Sequence, residues 1–136
     1  MKDLHHNLTF IEVVAPFDTD ASTPVVGTII DTIGYEGLEF VLTIGNLYDA
    51  DATFTVLVEE GSVANLSDAT AVADADLLGT EAAVSFQFND DNKIRKIGYV
   101  GGKRYVRLTI TPANNSVAAY LGVIGVLGYP ENLPVA

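Results

Sequence analysis

A chain of 136 residues has single-domain length and can bury roughly two thirds of its unfolded surface around one core. With 49% hydrophobic and 18% charged residues, it lacks the low hydrophobicity that disorder requires. Its 18 acidic residues against 7 basic ones give a net charge of -11, which repels phosphate backbones and anionic lipid, so neither nucleic acid nor membrane is an expected partner.

Short runs rich in Val, Ile, Thr, Phe and Tyr recur between turn signals, with little helical periodicity, as in an all-β sandwich or barrel. Residues 8–14 (LTFIEVV) read as the first strand, followed by a loop carrying Pro16 and Pro24. Residues 25–31 (VVGTIID) form the next, ended by Gly34 and Gly37. Residues 38–44 alternate with Phe40, Leu42 and Ile44 on one face, and residues 54–60 alternate with Phe54, Val56 and Val58, so the two read as neighbouring strands. The stretch before Ala83, rich in Ala, Asp and Leu, reads mainly as loop, and residues 83–88 (AVSFQF) return to strand. Asn89, Asp90, Asp91 and Asn92 make a polar turn. Residues 93–100 and 104–111 flank Gly101-Gly102, a pair suited to a type I′ hairpin. Residues 117–129 (VAAYLGVIGVLGY) supply the final strand. About eight strands without a covering helix predict one antiparallel β-sandwich of jelly-roll type over residues 1–136, with 1–24 an N-terminal arm or edge segment and 130–136 an irregular tail.

Catalytic equipment is sparse. There is no Cys to act as nucleophile or soft metal ligand, and His5 and His6 are adjacent in an N-terminal segment read as mobile, where extended backbone would point them apart. Neither a G-x-S-x-G elbow nor a phosphate-binding loop occurs. Asp18/Asp20, Asp49/Asp51, Asp74/Asp76 and Asp90-Asp91 resemble pieces of calcium loops, but none fits an EF-hand, and in an acidic β protein such pairs are usually solvated loop residues. The expectation is a non-enzyme with no metal and no cofactor. The opening residues lack an apolar run of signal-peptide length, and no stretch reaches the ~18 apolar residues of a spanning helix, so synthesis in the cytoplasm is expected.

Two features speak to assembly. Six of the seven basic residues (Lys93, Arg95, Lys96, Lys103, Arg104 and Arg107) fall within fifteen positions that contain no acid. On a hairpin they would form one basic patch, either a docking surface or an edge that uses charge to block strand addition. The final strand is apolar on both faces, as a buried central strand or one covered by another subunit would be.

The segments ADADLLGTEA (residues 73–82), IGYVGGKRYVRLTITP (97–112), IIDTIGYEGLEFVLTIGNL (29–47) and the ending GVIGVLGYPENLPV resemble the capsid decoration, or cement, proteins of tailed bacteriophages. The run from Tyr99 to Arg107 is the most specific part. The resemblance implies a β-sandwich without a catalytic site that binds the outside of the virion, with the major capsid protein and itself, as a homotrimer, for partners. On that reading Lys93, Arg95, Lys96, Lys103, Arg104, Tyr105 and Arg107 are expected to supply electrostatic contacts, and Leu121, Val123 and Leu127 apolar ones. The competing reading is a carbohydrate-binding or adhesive module of a phage tail or cell surface. Six tyrosines are available for it, but no Trp.

Overall fold

A computed structural model of the chain describes residues 2–135. Its strands are β1 (Thr9–Thr19), β2 (Val25–Val26), β3 (Ile30–Asp31), β4 (Tyr35–Leu47), β5 (Thr53–Gly61), β6 (Thr70–Ala71), β7 (Leu77–Leu78), β8 (Phe86–Gln87), β9 (Ile94–Tyr99), β10 (Tyr105–Ala113) and β11 (Ala119–Pro130). A 3-10 turn at Asp74–Asp76 and one helical turn, α1 (Glu81–Val84), complete the described elements. All pairings are antiparallel and make two sheets. One has the order β1-β11-β4-β9-β7; in the other β2 and β3 share one side of β10, and β5 carries β6 and β8 on its far side.

Of the long strands, β1, β4, β9 and β11 lie in the first sheet and β5 and β10 in the second. With β2 and β3 taken as one broken strand, and β6 and β8 as another, this is jelly-roll connectivity, in which every connection but the one from β5 to β6 carries the chain across the core. The all-β sandwich expected from the sequence is what forms. The core follows from the pleat: Leu38, Phe40, Leu42 and Ile44 of β4 face Phe54, Val56 and Val58 of β5 and Val106, Leu108 and Ile110 of β10, all buried.

Several local expectations are corrected. The strands containing Phe40 and Phe54 are not neighbours, because the chain changes sheet between Leu47 and Thr53. β1 runs past Pro16 to Thr19 through two register shifts, and these bulges accommodate the proline in an edge strand. The run 25–31 breaks into β2 and β3, because Gly27 donates its N–H to Leu108 O and the next residue, Thr28, donates to Val13 O, which stitches the edges of the two sheets together. In the run 83–88 only Phe86 and Gln87 join the sheet. Val56 N–H donates instead to Ser85 Oγ and Val58 N–H to Glu81 Oε1, so two side chains occupy the edge of β5 where a strand would sit.

The Gly101-Gly102 hairpin does not form. β9 pairs with β4 and β7, whereas β10 pairs with β5, β2 and β3, so the connection between them crosses from sheet to sheet. Neither glycine adopts the positive φ that a type I′ turn needs. Tyr99 holds the crossing: its ring faces the core, its hydroxyl donates to Glu60, and Lys103 N–H donates back to it.

Candidate interaction surface

The loss of the hairpin disperses the basic residues. Arg95 lies opposite Leu42, on the inner side of the sheet, where its guanidinium donates to Ala83 O at 2.6 Å and Asp90 Oδ1 at 2.9 Å. Lys93 Nζ reaches the same Asp90 oxygen at 2.8 Å. Arg104 grips Asp31 with two bonds of 2.8 Å each, and its guanidinium lies 5.1 Å from the ring centre of Tyr105. Arg107 pairs with Glu59 across β10 and β5. Lys96 and Lys103 have no ion pair within 4 Å among the described residues. A stretch that is purely basic in sequence is thus largely neutralised by acids from elsewhere in the chain. The carboxyl of Asp90 is held below the usual carboxylate range, first by Lys93, and that of Asp31 first by Arg104.

The apolar contact residues expected in the last strand are core residues. Leu121, Val123 and Leu127 are 4%, 1% and 2% exposed and point between the sheets, so no partner can reach them. β11 is the central strand between β1 and β4, and it is the intervening positions that face outward. The pairing register sets three rows across the outer face of this sheet. Phe10, Val126, Glu39 and Gly98 make one, extended by Leu78 of β7. Glu12, Ile124, Val41 and Lys96 make the second. Gly122, Thr43 and Ile94 make the third, with the Cα of Pro16 3.3 Å from where a Cβ on Gly122 would stand. Phe10 is 61% and Ile94 71% exposed, and Leu78, Ile124, Phe17 and Tyr120 are also large exposed apolar side chains. Between the bulged part of β1 and β4 the face is hollowed into an open groove of ≈ 550 Å³, lined by Glu12, Pro16, Phe17, Thr43, Tyr120, Gly122 and Ile124 among others.

The outer face of the other sheet is different. Its rows read Arg107 with Glu59, Thr109 with Leu57, Thr111 with Thr55 and Ala113 with Thr53. That face carries hydroxyls and a closed ion pair, with Val26 and Leu57 either side of Thr109 as its apolar row, whereas Phe, Ile, Leu and Tyr cluster over several rows of the first sheet. Strand alternation could have revealed the outward set Tyr120, Ile124 and Val126. What concealed it was that the inward positions of β11 are equally apolar.

The acidic pairs serve loop structure. Asp49 accepts from both N–H and Oγ of Ser116, which with Asp51 hold its carboxyl low, while the bond to Asp49 pushes Asp51 up. Asp74 and Asp76 lie in the 3-10 turn. His5 and His6 belong to a turn rather than extended backbone, with Leu8 N–H bonded to Leu4 O, and the His6 ring lies 2.7 Å from Asp3. The tail returns to this turn through Val135 N–H donating to His6 O.

Fold and surface together define a β-jelly-roll with one apolar outer face. No protein-family description matches the chain, and no curated protein does. Among solved structures it is similar to the PBSX exported protein XepA, with a TM-score of 0.59 and 11% identity over 94% of this chain. It spans only 39% of XepA. It is also similar to a chain of the cyanophage Pam1 capsid asymmetric unit, with a TM-score of 0.51 and 13% identity, covering 96% of this chain and 90% of that one. The SPBc2 prophage-derived protein YomS gives 0.50 and 13%, covering 89% and 92%. At these identities the likeness is one of fold.

Proposed function

We propose that the chain is a structural protein of a bacteriophage particle, non-catalytic, which binds the outside of the capsid and stabilises it. The observation that carries this reading is the contrast between the two outer faces. A sheet surface bearing Phe10, Leu78, Ile94, Tyr120 and Ile124 is stable in water only at a cost, and assembly removes it from solvent. The fold neighbours that come from phages and prophages support the same setting, one of them being part of a capsid asymmetric unit. In such a protein contact area does the work: each site is modest, and linking copies makes the attachment avid. The sequence resemblance implies copies in threes, with the major capsid protein as the other partner.

The test is to band the particles released by a host carrying the gene and to probe them with an antibody against the chain. Labelling on the outer head surface, together with heads that rupture at lower temperature when the gene is deleted, is the expected result. Particles that lack the chain overturn the proposal. The competing glycan-binding reading predicts retention of the isolated protein on polysaccharide columns with no affinity for heads.

A further inference from the structure

The structure assigns the outer face of the five-stranded sheet to a second copy of this chain, packed about a two-fold axis that runs along the strands between β11 and β4. This rests on the reading of that face as an assembly surface, gives it to a second copy in place of the capsid, and departs from the copies in threes that the resemblance implies. The argument is self-complementarity. A two-fold axis lying in the interface, parallel to the strands, exchanges β11 with β4 and β1 with β9 across the contact. In the second row it sets Glu12 of each copy over Lys96 of the other, and Ile124 over Val41. Lys96, one of the two basic residues of the 93–107 stretch without an ion pair among the described residues, thereby gains a carboxylate in each copy.

Of the neighbouring rows, one matches by size. In the first, Phe10 comes over Gly98 of the partner, but the Glu39 carboxylate and Leu78 of that chain already cover this glycine, and Val126 meets Glu39. In the third, Ile94, a protruding side chain, meets the hollow at Pro16 and Gly122. The same axis therefore places acid on base and apolar on apolar in the second row, and large on small in the third. Glu39 is the other charged side chain in these rows; burial pushes its carboxyl up, and Lys96, diagonal to it on the adjacent strand, offsets this in part.

The four strands that overlap, about 4.8 Å apart and some six residues long, present on the order of 400 Å² per copy, or about 800 Å² in all. That is below the usual range for a stable contact and fits a pair that assembles only at high micromolar concentration. Packed sheets align to within about 30°, which keeps the central row in register and lets the outer rows slide by a few ångströms.

The experiment is a charge exchange in the full chain, read by sedimentation velocity from 1 to 200 µM with thermal melts alongside. The wild type is expected to sediment at twice the 14.4 kDa protomer mass at the upper end. Glu12→Lys and Lys96→Glu should each weaken pairing about tenfold or more while leaving the melting temperature of the dilute monomer unchanged, because both side chains are exposed. Mixing the two variants should restore pairing as a heterodimer, since the lysine introduced in one then faces the glutamate introduced in the other, and the native Lys96 of the first faces the native Glu12 of the second. Monomers throughout for the wild type, a mass of three copies, or a mixture that stays as weak as its components overturns the assignment. Binding of the same variants to phage heads is measured separately: heads that take up no protein, wild type included, refute the virion reading while leaving the dimer standing.

Discussion

Ile30 reaches from one sheet into the space that Gly125 leaves in the other: a Cβ built on Gly125 would stand 2.5 Å from Ile30 Cδ1. Both residues are buried, and the missing side chain on β11 lets the sheets close at this point. Gly125→Val should destabilise the fold by about 1–3 kcal/mol through overpacking. Combining it with Ile30→Ala should recover part of that loss, a non-additivity that urea titration of the single and double variants measures.

Truncation on opposite sides of β11 should separate folding from assembly. Leu127→Ala removes a core side chain and is expected to cost about 2–5 kcal/mol. Ile124→Ser, on the outer face, should leave the urea midpoint within the range of ordinary surface changes and reduce self-association instead. Equal loss of stability in the two would mean that the outer face is not free.

How much of this was legible in the sequence depends on range. Alternation located β4 and β5, and runs of apolar and β-branched residues between turn signals located β10 and β11, each within a few residues, because both signals are local. Partner choice was not legible: a five-residue link such as the one after Tyr99 is as long as a hairpin loop, and only Tyr99, Glu60 and Lys103 together make it a crossing. The interface suffered in the same way. The cluster of six bases is a feature of the linear chain, and Asp90, Asp31 and Glu59, which neutralise four of them, arrive from other elements.

Asp90 should be the most sensitive acid. Its side chain is 13% exposed and serves Lys93, Arg95 and the N–H of Gln87. Asp90→Asn strands the half-buried Arg95 guanidinium and should cost about 1–3 kcal/mol. The pH dependence follows from the direction of the shift: a carboxyl whose folded pKa lies below the unfolded value adds stability above that value and loses it as pH falls through the folded one. The wild type should therefore lose stability below about pH 4, where unfolded Asp begins to protonate. Asp31, also held low, acts in the same sense, but its exposure keeps its share small. Melts of the variant should show a shallower decline over that range.

Glu81 supplies a backbone partner rather than a charge. Its carboxylate accepts from Val58 N–H at the open edge of β5. Glu81→Ala should leave that amide unpaired, cost about 1–3 kcal/mol, and raise hydrogen exchange at Val58 more than at Leu108, its partner across the ladder.

The central place of β11 orders events during synthesis. β1 pairs with β11, and β4 reaches β1 only through it, so the first strand has no partner in its sheet until residues 119–130 have left the ribosome. The apolar outer rows are completed at that moment and not before, since each contains a residue of β11. Chains that have not yet exposed β11 thus cannot present the finished surface to one another. The arrangement delays stickiness until folding is nearly over, at the expense of speed, because every pairing that builds the surface must wait for contacts distant along the chain.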